Sequence, residues 1–117
     1  MSLWDEIIKV LELTMVSAPE ILKRPVQGAF CGDLLSHALA NAATGDVWIT
    51  IHRHRNVIAV AALINLSGVV ITENRPPDPD TLAAAEQEGI PLFTTALTNF
   101  QAAGRLYHIL LTRNLIK

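Results

Sequence analysis

The residues able to do chemistry fall into four short stretches. Gly32-Asp33-Leu34-Leu35-Ser36 offers a carboxylate and a hydroxyl directly after an apolar run. His52-Arg53-His54-Arg55-Asn56 is a polar insert between two apolar segments. Thr72-Glu73-Asn74 opens the proline-rich stretch that ends at Asp80, and Thr95 and Thr98 follow another apolar run. Asp33, Ser36, His52, His54, Asn56, Thr72, Glu73, Asn74, Thr95 and Thr98 are therefore the candidate ligand-binding residues. Three of them, Asp33, Asn56 and Thr98, also stand where a helix cap is wanted, which accounts for them without any ligand.

Each sharper chemistry has a weakness. His52 and His54 point the same way if the chain is extended there. Such a pair can ligate a metal, but beyond Glu73 or Asp33 no third ligand is apparent, so no metal is expected. Cys31 and His37 suggest a nucleophile and a base, yet nothing holds the two side chains together. There is no phosphate-binding loop of the Walker type and no dinucleotide fingerprint of glycines. Arg53 and Arg55 are placed to meet an anion at the start of the next helix, although loop arginines are usually solvated. No catalytic residue and no cofactor is expected, because no nucleophile–base–orienter set is visible.

These residues must be positioned by alternating strands and helices. Ser2 caps a first helix whose buried side is Leu3, Ile7, Ile8 and Leu11. Glu12–Val16 is a candidate strand, at an edge or running the other way. An irregular connection follows, with room for one helical turn over Glu20–Lys23. Val26–Cys31 is the next strand. Leu34, Leu35, Ala38, Leu39 and Ala42 form an apolar stripe at helical spacing, with Asp33 as its cap and Gly45 as its stop. Val47–Ile51 suits a strand buried on both faces. Val57–Leu66 is a helix apolar nearly all round, ended by Ser67-Gly68. Val69–Thr72 is a strand. A helix starts near Pro79 and stops at Gly89. Ile90–Thr94 is a strand, and Thr98 with Gln101 forms a capping box for a last helix. This alternation predicts an α/β fold: a mostly parallel sheet with helices on both faces, a three-layer α/β/α arrangement. The four polar stretches would then converge beyond the carboxyl ends of the strands, where ligands sit in open α/β sheets.

Composition narrows the function classes. The 117 residues suffice for one domain, 1–117, with one modest core. A net charge of −2 gives no reason to expect nucleic-acid binding. The single cysteine suits a reducing cytoplasm, and Cys31 is expected to be a small buried hydrophobe. No apolar run reaches a membrane span and the start, MSLWDEIIK, lacks a signal-peptide pattern, so a cytoplasmic chain without membrane contact is expected. The chain is 50% hydrophobic and only 17% charged, more apolar than a soluble monomer of this size needs. A homodimer is the expected outlet for that excess, with Trp4 on the first helix exposed in a monomer.

The run GDLLSHALANAATGDVWITIHRHRNVIAVAAL, with VVIT and PPDPDTLAAAEQEGIPLFTT after it, resembles the DRTGG domain family over nearly the whole chain. Gly32-Asp33-Leu34-Leu35-Ser36 followed by Asp46-Val47-Trp48-Ile49-Thr50 is its most specific part. Domains of this family also occur beside CBS pairs in pyrophosphatases and inside long phosphotransacetylases, and they are related to the N-terminal domain of HPr kinase/phosphorylase. The resemblance implies an α/β fold and a regulatory or ligand-sensing role. The family's Asp-Arg falls at His54-Arg55 and its Thr-Gly-Gly at Thr72-Glu73-Asn74. Arg55 and Thr72 match; His54, Glu73 and Asn74 depart from the pattern. The expectation is a non-catalytic regulatory module that binds a small polar ligand, an anion or a nucleotide. The alternative is an assembly protein that homodimerises and docks on a larger enzyme.

Overall fold

The computed structural model describes residues 2–17 and 24–117. The predicted helical turn over Glu20–Lys23 lies outside the described residues. The elements in chain order are α1 (Leu3–Val10), β1 (Thr14–Ser17), β2 (Gly28–Cys31), α2 (Leu35–Asn41), β3 (Asp46–Thr50), α3 (Asn56–Ile64), β4 (Gly68–Ile71), α4 (Pro79–Glu88), β5 (Leu92–Thr94) and α5 (Asn99–Thr112). One five-stranded sheet has the order β1-β5-β4-β3-β2. β2, β3, β4 and β5 pair in parallel, and β1 closes the β5 edge antiparallel. The parallel core predicted from the alternation is therefore present, and the strand at Glu12–Val16 is the edge strand that runs the other way.

Strand order explains the layers. β2 to β5 are laid down one after another in a single direction, and crossovers of one hand then put their helices on one face. Accordingly α2, α3 and α4 pack through Ala38, Val57, Ile58, Ala61 and Ala85 onto Trp48, Val69, Ile71 and Leu92. α1 and α5 cover the other face, where Ile7, Leu11, Leu106 and Leu110 meet Val47, Ile49, Val70 and Phe93. The alternation of β3 side chains between these clusters is the period of a strand buried on both sides. α5 alone leaves its strand toward the second face, and it packs over β2 and β3 rather than beside β5.

Several local expectations change. Asp33 does not cap α2; Leu34 holds the cap position without a side-chain bond, because the Asp33 carboxylate is turned toward β3. Asn56 is already the first residue of α3, with Arg55 before it. α3 stops at Asn65, in the left-handed conformation that Asn tolerates, and Gly68 belongs to β4. α2 ends at Asn41, so Gly45 is no C-cap; its φ of 88° serves the turn into β3. A Cβ there would lie 2.9 Å from the Gln27 side chain. Trp4 is buried, not exposed. It stacks on Phe93 with centroids 5.4 Å apart and donates from Nε1 to the Arg24 carbonyl at 2.8 Å. Cys31 is exposed, because β2 is the sheet edge rather than its middle. The cap at Ser2, the capping box at Thr98, Pro79 as the first residue of α4 and Gly89 as its left-handed stop are as read from the sequence; Asp5 completes a box with Ser2 as well.

Candidate functional site

The carboxyl ends of the parallel strands are tied by one polar ring. Gly32 follows β2; its amide donates to Ile49 O at 3.1 Å and its carbonyl accepts the Trp48 indole at 2.9 Å. That places the next residue, Asp33, against the end of β3. Asp33 Oδ1 accepts from the Ile51 amide at 2.9 Å and the Thr50 hydroxyl at 3.0 Å. Asn99, the first residue of α5, donates its side-chain amide to both oxygens, at 3.2 and 3.3 Å. Its own oxygen accepts from the Thr72 hydroxyl at the end of β4, and the Thr72 amide donates to Thr50 O at 3.0 Å. Burial by itself would raise the Asp33 pKa. The bonds from Ile51, Asn99 and Thr50, with the His52 charge nearby, outweigh it and hold the carboxyl below its ordinary value.

Above this ring lies an open groove of about 450 Å³, lined by Asp33, Ile51, His52, Arg53, His54 and Arg75. Its walls come from the β2–α2, β3–α3 and β4–α4 loops. Arg53 and His54 each stand 3.8 Å from the Asp78 carboxylate, while Arg75 has no ion pair among the described residues. Backbone bonds fix the frame: the Asp78 amide and the Thr81 hydroxyl both donate to Arg53 O, at 3.2 and 2.6 Å. Basic groups around a carboxylate floor suit a polar ligand with anionic character.

The structure brings together only part of the predicted set. Asp33, His52 and His54 share the groove, and Thr72 lies in the ring beneath it. Ser36 and Asn56 are exposed on their helices and do not line it. Thr95 is buried and donates its hydroxyl to Leu11 O at 2.8 Å, holding β5 to the α1–β1 connection. Thr98 is absorbed by the capping box with Gln101. Glu73 and Asn74 are exposed at φ values of 61° and 57°, and their amides donate to Leu97 O and Thr95 O. Those amides are thus engaged within the protein. Four loops do not make one pocket here because the parallel strands never reverse order, so there is no switch-point crevice. Thr50, Asn99 and Arg75 were missed as site residues. Asn99 was within reach: the box at Thr98–Gln101 fixes it as the first helical residue after β5. Arg75 is the one cation of ENRPPDPD. Among the described residues no three His, Cys, Asp or Glu side chains group as a metal site.

The chain is similar in fold to a crystal structure of the CBS and DRTGG domains of the regulatory region of Clostridium perfringens pyrophosphatase, complexed with the activator diadenosine tetraphosphate. The two are 16% identical, with a TM-score of 0.70 over 90% of this chain. The match covers 46% of that longer chain. No curated protein matches the sequence closely enough to count as a relative. The DRTGG domain model matches residues 6–109. Glu73 and Asn74, the two positions set against the family's glycines, are both left-handed. The chain belongs to the DRTGG domain family.

Proposed function

We propose that the chain is a single non-catalytic regulatory module, residues 1–117, that binds a small polar ligand in the groove at the carboxyl ends of β2 and β3. The observation that carries this reading is the convergence of Arg53, Arg75, His52 and His54 on one concave site whose floor is already rigid. A groove of this size falls in the range of small-molecule sites. The ring supplies what a sensor needs beneath it, a firm link between the ligand loops and α5. The likeness to a pyrophosphatase regulatory region supports a regulatory role, whether alone or docked on an enzyme. Thermal-shift screening against nucleotides and phosphorylated metabolites tests it. A ligand at a hundred times its Kd stabilises by about 2.7 kcal/mol, a shift easily seen. The shift is expected to shrink to about half in Arg53→Ala, the effect of a tenfold weaker Kd; an undiminished shift removes the groove from the reading.

A second reading, assembly through a homodimer, has its own observation. Phe100, Tyr107 and Leu111 lie 88%, 55% and 41% exposed along one face of α5. Light scattering tests that reading independently of any ligand.

A further inference from the structure

We propose that the groove takes the phosphate group of a small phosphorylated molecule on Arg53 and Arg75, and that Asp78 is the internal carboxylate which this phosphate displaces. The inference rests on the ligand-binding reading above and gives it a chemical class.

Asp78 carries the first part. It occupies the N-cap position of α4, yet its side chain makes no cap bond. Instead its carboxylate faces Arg53 and His54 at 3.8 Å each. That separation is too long for a hydrogen bond. The partners are also well solvated, Arg53 at 41% and Asp78 at 34% side-chain exposure, so the pairing is weak and exchangeable. The backbone around it is not loose, because Arg53 O is held by both the Asp78 amide and the Thr81 hydroxyl. Only the Asp78 side chain has to move. On release it stands at the start of α4, where Pro79 has no amide and the Thr81 and Leu82 amides already donate to Asp78 O, so the Asp80 amide is the one its carboxylate can accept. The exchange thus gives the displaced group an alternative partner.

The cations carry the second part. Arg75 is left without an ion pair among the described residues and lines the same groove as Arg53. A carboxylate fills one guanidinium fork, whereas a phosphate has oxygens enough for two. Asp33 on the floor is held by Ile51, Thr50 and Asn99, and neither arginine is among its bonding partners. The groove, about 450 Å³, leaves room for a group attached to the phosphate. A free phosphate and a phosphate ester share this chemistry.

The test is an amide-resolved NMR titration with inorganic phosphate and with AMP, at constant ionic strength against sodium chloride. Shifts are expected at the amides of residues 51–54, Arg75 and Asp78, the prolines between and after them having none. AMP binding more tightly than phosphate identifies an ester site, and equal binding identifies free phosphate. Arg53→Gln and Arg75→Gln should each weaken binding about tenfold, the loss of one charged hydrogen-bonding partner. Asp78→Asn should tighten it about threefold by removing the competitor. Both arginines are surface residues, and the melting midpoint of each variant checks folding. Unchanged affinity in both arginine variants overturns the phosphate site, and weaker binding in Asp78→Asn overturns the exchange. If a neutral metabolite moves the groove amides while phosphate and AMP do not, this inference fails and the ligand-binding reading survives. If no compound moves them, both fail.

Discussion

Asn99 donates its side-chain amide to both carboxylate oxygens of Asp33, across 66 residues of chain. The bond joins the end of the edge strand β2 to the first turn of α5, which left the sheet on the opposite face from the other crossover helices. Asp33 is therefore a clamp between the two layers, and it lines the groove as well.

Asp33→Ala should destabilise the fold by about 2–3 kcal/mol, more than a lost cap, because it strands the Ile51 amide and the Thr50 and Asn99 side chains together. Asn99→Ala should cost less, and the double variant should fall short of the sum, since one network is being removed twice. Urea denaturation measures all three. Additive losses would show that the two residues do not act as a unit.

The pH dependence of this clamp has a definite sign. The Asp33 pKa is lowered in the folded state: burial pushes it up, but the bonds from Ile51, Asn99 and Thr50 prevail. A depressed folded pKa contributes stability that is present above the unfolded carboxyl value and lost as pH falls through the folded one. Asp33→Asn should therefore lose most at neutral pH and converge on the parent in acid.

Asp46 should behave in the opposite sense. Burial raises its pKa, and the Ala43 amide at 2.9 Å only partly offsets this. A raised folded value means that stability is fully present below the unfolded pKa and falls as pH rises through the folded one. Asp46→Asn keeps an oxygen for Ala43 and should raise the melting midpoint at pH 7, with no gain at pH 3. A lower midpoint at pH 7 would show that the charge itself is needed at the head of β3.

The fold was legible where chemistry is local. The cap at Ser2, the capping box at Thr98, Pro79 at the first position of α4 and the apolar runs of β3 and β4 place elements from neighbouring residues alone. The site was legible only in part. Asp33 and Asn56 have the composition of caps, and only the tertiary pull of Thr50, Ile51 and Asn99 turns the Asp33 carboxylate away from α2. Thr95 has the composition of a loop ligand, yet it is spent on Leu11 across 84 residues. The apolar sequence of α2 misled for a related reason. An edge helix covers little, so Leu34 and Leu39 stay exposed while only Ala38 is fully buried.

The turn at Glu73-Asn74 allows a gain of stability. Both residues sit at positive φ, where a side chain other than glycine costs about 1–2 kcal/mol, and less for Asn. Their amides are bound to Leu97 and Thr95, so the conformation is imposed by the fold. Glu73→Gly should stabilise by up to about 1 kcal/mol once the larger entropy of an unfolded glycine is subtracted. Asn74→Gly should be close to neutral. Chemical denaturation decides, and a destabilised Glu73→Gly would mean that the Glu73 side chain contributes a contact that outweighs its strain.

Oligomeric state follows from α5. Its inner face is buried through Ala102, Leu106, Ile109 and Leu110 against α1 and the sheet. Its outer face presents Phe100, Gly104, Tyr107 and Leu111 at spacings of four, three and four residues, one stripe along the helix with no charge in it. Leu115 extends the exposed apolar surface beyond the helix end. Beside it, β2 is an outer strand of the sheet and carries neither proline nor charge, the usual protections of an edge. Two adjoining apolar features on one side of a small domain favour a two-fold dimer there, because a two-fold axis lets a single patch cover itself. Light scattering at tens of micromolar should give a dimer. Tyr107→Glu with Leu111→Glu should give a folded monomer, since both side chains point away from the core. A parent that is already monomeric would sink the homodimer and leave the stripe for another protein.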